Sequence, residues 1–233
     1  MLGSYFNVVA LTGFLLEIYV VVWSVYKRTF VRNLSINVYM LCTAGVSCGL
    51  FICTYRFGVT SLVYGYYYYY TDNLLTILMF WVIIHFYQQV FREMHVSRYV
   101  RTGAVLLLTA TAFFSYAVVY QNRSHLMSRF FVEMGQNLYF VGVVLTYLLW
   151  GAVVKLRETR TRLVQLVLAL GVYFSATAGS YAIGNLFPHL YMSLLRYLLP
   201  VFGVWLPAAW AYTFTKVPDE AKLATATLLA RAR

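Results

Sequence analysis

Charge is what this sequence has least of. Asp, Glu, Lys and Arg together make up 11% of its 233 residues, against about 25% in ordinary soluble domains. So few charges cannot cover a globular surface in water. Acids are scarcer still, with seven Asp and Glu against eighteen Lys and Arg. Cysteine is limited to Cys42, Cys48 and Cys53, all in one apolar stretch. That pattern excludes a disulfide framework and gives no metal-knuckle spacing; the three read as small apolar residues among helices. Only four prolines are present. There is no HExxH, no P-loop, no GxSxG and no Cys-Xaa-Xaa-Cys, so the familiar metalloprotease, nucleotide, hydrolase and thiol-redox signatures are missing. Met1-Leu2-Gly3-Ser4 carries no positive charge, so a cleavable signal peptide is not expected.

What is there is apolar. Residues of that type form 62% of the chain, in long runs separated by short basic clusters. A run of about 20 apolar residues crosses the hydrocarbon layer as a helix. The expected fold is an all-α integral membrane domain over residues 1–216. Its seven spans are placed at 5–26, 34–55, 70–91, 102–121, 130–154, 162–183 and 191–215. Residues 217–233 follow as a short tail. Pro218-Asp219-Glu220 resembles a helix start, and Leu223, Leu228 and Leu229 give it a weak apolar side for an interfacial helix.

The basic residues set the orientation. Fourteen of the eighteen Lys and Arg lie after the first, third, fifth and seventh spans. Arg56, Arg123, Arg129 and Arg196 lie on the other side. By the positive-inside rule the N-terminus is outside and the C-terminus cytoplasmic. The same distribution explains a pI near 9.6. Positive charge spread over four connections suits anionic lipid better than a nucleic-acid surface.

Tyr66 to Tyr70 form a run of five tyrosines at the expected outer mouth of the third span. Such a run is either an interfacial belt or the lining of a binding mouth. Gly171, Ser175 and Gly179 give the sixth span a small-residue stripe for close helix packing. Pro200 and Pro207 are expected to kink the seventh.

Ionisable groups inside spans are the candidate functional residues. Glu17, with Gly13 one turn away, is either a proton- or cation-handling carboxylate or a neutralised packing group. Asp72, Asn73, Glu133, Gln136, Asn137, Arg56 and Arg196 lie at one outer depth. Glu133, Gln136 and Asn137 recur at helical spacing. They form either an ion-pair and amide network or a polar ligand pocket. His85 is a candidate for haem or pigment, although bis-histidine ligation needs a second histidine at similar depth. His95, His125 and His189 fall in connections. No cofactor, metal site or catalytic set is expected.

The run Tyr66-Tyr67-Tyr68-Tyr69-Tyr70-Thr71-Asp72-Asn73-Leu74 leads into a helix ending Phe86-Tyr87-Gln88-Gln89-Val90-Phe91-Arg92. Phe131-Val132-Glu133-Met134-Gly135-Gln136 and Gly171-Val172-Tyr173-Phe174 follow in the fifth and sixth spans. With these motifs the chain resembles a group of seven-helix bacterial membrane proteins of acidobacterial type. It is more distantly similar to the seven-helix sensor modules that precede bacterial signalling domains, without such a domain here. The resemblance implies a multi-pass protein of the bacterial inner membrane and carries no biochemical role. The expected function is non-enzymatic: an accessory or scaffold subunit, or a sensor relaying to a separate partner, with lipid and other membrane subunits as its partners. The alternatives are a small-solute transporter coupled through Glu17 and a haem- or pigment-binding subunit using His85.

Overall fold

A computed structural model describes residues 2–58, 60–91, 97–120, 126–155, 160–187 and 196–218. The described residues are all-helical. Seven helices follow in order: α1 Leu2–Tyr26, α2 Leu34–Phe57, α3 Leu62–Val90, α4 Ser97–Tyr120, α5 Leu126–Lys155, α6 Thr161–Leu186 and α7 Arg196–Lys216. Within the described residues five are both long and apolar enough to cross a membrane: α1, α2, α3, α5 and α6. The chain therefore has the build of a membrane protein with transmembrane helices. Of the other two, α4 carries Arg98 and Arg101 in its first turns, and α7 contains Pro200 and Pro207.

The helices suit lipid because they hide their own polar groups. On α1, Val8, Leu11, Leu15, Val22 and Val25 are exposed, an outer face that water would not tolerate but hydrocarbon does. Hydroxyl side chains turn back on their own helices. Thr43, Thr71, Thr76, Thr111, Thr177 and Ser180 each donate to the carbonyl four residues earlier, at 2.6–2.9 Å. That bond satisfies the hydroxyl without a partner helix.

α3 differs from expectation at its start. Ser61 caps it by accepting from the Tyr64 amide at 3.1 Å, after Gly58 has ended α2 at φ +78°. The tyrosine run is thus part of the helix, not a lead-in at residue 70. At 1.5 Å per residue the 29 residues of α3 span about 43 Å, longer than a hydrocarbon layer of about 30 Å. Its first turns therefore reach headgroup depth, where tyrosine is favoured. Tyr66, Tyr68, Tyr69 and Tyr70 are exposed, and Tyr66 stacks on Tyr70 one turn away. Tyr67 points the other way: its hydroxyl sits over Gly49 of α2, in space that a Cβ would fill.

α7 runs unbroken through both prolines. The expected interfacial helix falls on residues beyond 218, outside those described.

The helices gather in two compact units. One holds residues 34–142, where α2 and α4 pack on α3. The other holds residues 1–33 and 143–233, where α1 and α6 pack on α7. In this second unit Gly171 of α6 closes on Thr146 of α5, and a Cβ there would lie 3.1 Å from the Thr146 methyl. Ser175 reaches the Tyr147 hydroxyl at 3.5 Å. Gly179, the third member of that stripe, meets no described neighbour within 4 Å.

Candidate functional site

In the 34–142 unit, the capped start of α3 places Asp72 and Asn73 in its third turn. Asn73 is 3% exposed and donates from Nδ2 to the Tyr69 carbonyl at 2.8 Å. Asp72 turns to α5, where its carboxylate accepts from the Tyr139 hydroxyl at 3.0 Å. One turn before Tyr139, Gly135 faces the same two residues of α3. A Cβ there would stand 3.5 Å from Asn73 Oδ1 and 3.6 Å from Asp72 Oδ2, ordinary contact distances.

Asn137 serves a different neighbour. Its Nδ2 donates to Ser115 Oγ of α4 at 3.0 Å, and Ser115 in turn donates to the Thr111 carbonyl at 2.8 Å. Two residues along a helix are about 200° apart, so Asn137 leaves α5 opposite the side that carries Gly135 and Tyr139. α5 is therefore polar on two sides, and its polar groups tie it to α3 and to α4.

Glu133, Gln136 and Asn137 fall on one side of the continuous helix α5, as their spacing requires, and the contact with Asp72 comes from the opposite side, at Tyr139. Among the described residues Asp72 meets the Tyr139 phenol, and Arg56 is exposed at the end of α2. Glu133 and Gln136 are half-buried on α5. Arg196 opens α7, and its side chain lies outside the described residues. Tyr139 and Ser115 were not singled out from sequence, although Tyr139 lies four residues after Gly135 and so on the same side of α5.

Glu17 lies in the other unit. It is 5% exposed on the buried face that Gly13, Val20, Val21 and Ser24 complete. A Cβ at Gly13 would meet Val204 Cγ2 of α7 at 3.4 Å, and Trp23 Nε1 donates to the Phe214 carbonyl at 3.1 Å. Both pairs are 191 apart in sequence, so α1 and α7 run parallel in one register. That register sets Glu17 level with Pro207 and Ala208. The Trp23 bond has a clear cause. The Phe214 carbonyl would normally accept from the amide of residue 218, which is proline and has none.

His85, half-buried on α3, shares a hydrogen bond of 2.8 Å between its Nε2 and Gln89 Nε2. A metal or haem iron would have to displace Gln89 from that nitrogen. His95, His125 and His189 lie outside the described residues, among which no group of three or more His, Cys, Asp or Glu is placed to hold a metal. No protein-family model, curated protein or solved structure matches the chain.

Proposed function

We propose that this protein is a seven-span module of a bacterial inner membrane that acts through other proteins, either as an accessory subunit or as a sensor relaying to a partner. The observation that carries the reading is the placement of α5. Tyr139 binds it to Asp72 of α3, and Asn137 binds it to Ser115 of α4. In an apolar medium, a buried carboxylate on a phenol is sensitive to any proton or ligand that changes its charge. A change at Asp72 moves the helix that also holds α4, and a partner docked on these helices reads the movement. The orientation rests on the basic connections, with the N-terminus outside.

Purification from native membranes in mild detergent, with mass spectrometry of what co-purifies, tests this. Stoichiometric membrane partners that are lost in Asp72→Ala support it. A protein that purifies alone, with and without cross-linking in the native membrane, overturns it. Reporter fusions after Arg32, Arg101 and Arg162 are expected to read cytoplasmic, and fusions near Gly58, Ser124 and Pro188 external.

The burial of Glu17 beside the middle of a proline-containing helix supports a second reading, a small-solute transporter in which Glu17 couples transport. Solute uptake by proteoliposomes that Glu17→Gln abolishes would replace the first reading with this one. A visible absorption band lost in His85→Ala would instead favour a haem- or pigment-binding subunit.

A further inference from the structure

The basic end of the unit formed by residues 1–33 and 143–233 contains a cleft of about 260 Å³, lined by Trp23, Lys27, Thr29, Arg162, Lys216 and Pro218 among others. Three helices supply it: the end of α1, the first turn of α6 and the last turn of α7. Lys27, Arg162 and Lys216 bring three positive charges to one concavity, and no carboxylate is among its described lining residues. Like charges gathered this way repel, and a bound anion relieves the repulsion.

The cations are held in place by what surrounds them. The Arg162 guanidinium lies 4.3 Å from the centre of the Phe214 ring. Lys27 Nζ lies 5.4 Å from the Trp23 ring and 5.8 Å from the Tyr26 ring. Such cation–π contacts fix the charge without neutralising it. The chain also adopts a costly turn to form this wall. Arg28 has φ +55°, a left-handed conformation that is unfavourable for a residue with a side chain. The turn carries Thr29 back so that its amide donates to the Ser24 carbonyl at 2.9 Å and its hydroxyl to the same carbonyl at 3.3 Å, which fixes Thr29 on the cleft wall. The start of α6 adds the positive end of its dipole.

We propose that this cleft binds a phosphate group, and that the group is offered by the headgroup of an anionic phospholipid. A guanidinium and two ammoniums are a donor set that phosphate oxygens select. Trp23 marks the depth of the membrane interface, where basic pockets between transmembrane helices take anionic headgroups. The site is separate from the Asp72 network and does not depend on the function proposed for it.

The test uses the full chain in a mild non-ionic detergent. Dihexanoyl phosphatidylglycerol, dihexanoyl phosphatidylcholine and inorganic phosphate are titrated separately, with binding read by native mass spectrometry and by thermal shift. The anionic lipid is expected to bind at least tenfold more tightly than the zwitterionic one. Lys27→Gln combined with Lys216→Gln, two exposed lysines whose loss does not open the core, is expected to weaken it at least tenfold. Arg32→Gln combined with Lys155→Gln, an equal loss of charge at residues that do not line the cleft, should leave it within twofold. Arg162→Lys should retain part of the binding that Arg162→Gln loses. Binding of inorganic phosphate with the same variant pattern, and no preference for the anionic lipid, would keep the phosphate site and overturn the lipid as its source. Equal losses in the Arg32→Gln, Lys155→Gln pair and in the cleft variant, or equal binding of the two lipids without phosphate binding, would overturn the site itself.

Discussion

The two units solve the same problem with different groups. In the unit of residues 34–142, side chains bond to side chains: Tyr139 to Asp72, and Asn137 to Ser115. In the unit of residues 1–33 and 143–233, the shorter bonds between helices run from indole N–H to backbone, Trp23 to the Phe214 carbonyl at 3.1 Å and Trp210 to the Leu166 carbonyl at 3.4 Å, while its side-chain pairs, Ser175 with Tyr147 and Thr213 with Gln165, are longer at 3.5 Å. The second arrangement combines a large packed surface with one bond, so its strength is mostly dispersion and shape. The first depends on polar atoms whose hydrogen bonds in membranes average well under 1 kcal/mol.

The largest expected effect falls on the packed unit. Trp210 is fully buried, and Trp210→Ala should cost about 3 kcal/mol or more, measured as loss of thermal stability in detergent. Trp210→Phe should recover most of it; if it does not, the bond to Leu166 outweighs the packing and the contrast fails. Next is Gly49→Leu, which drives a side chain into Tyr67 and should cost about 1–3 kcal/mol. Tyr67→Ala in the same chain should relieve much of that cost, and additive losses would refute the contact. The Asp72→Ala and Tyr139→Phe cycle comes third, with a coupling of about 0.6–1.7 kcal/mol in the same assay. A coupling near zero would make the pair incidental. Smallest is Trp23→Phe. It removes one donor from an otherwise open carbonyl and should cost about 1 kcal/mol, with a larger fraction of residues 1–26 becoming accessible to limited proteolysis.

The helical build was legible because each long apolar run has a basic or turn-forming boundary, and the seven helices fall close to the expected positions. The start of α3 was not. Its tyrosines invite an interfacial reading, and the deciding residue is Ser61, whose hydroxyl caps the helix eight residues earlier. The polar residues of α3 and α5 were legible as a group, but their partners were not. Asp72 and Tyr139 are 67 residues apart, and which side of α5 meets α3 depends on the rotation of the helix. That rotation is a matter of packing between helices, which periodicity alone does not reveal. Glu17 was conspicuous for the opposite reason, being the only ionisable group in an apolar run.

The pairing of α1 with α7 has a consequence for how the chain is made. The buried face of the first helix, Glu17 included, has its seam with residues that are synthesised about 190 positions later. At the translation rates of about 5–20 residues per second, Glu17 spends roughly ten seconds or more without that seam. It must pass that interval neutralised or held by something else, so assembly of this unit is completed only when the last helix arrives.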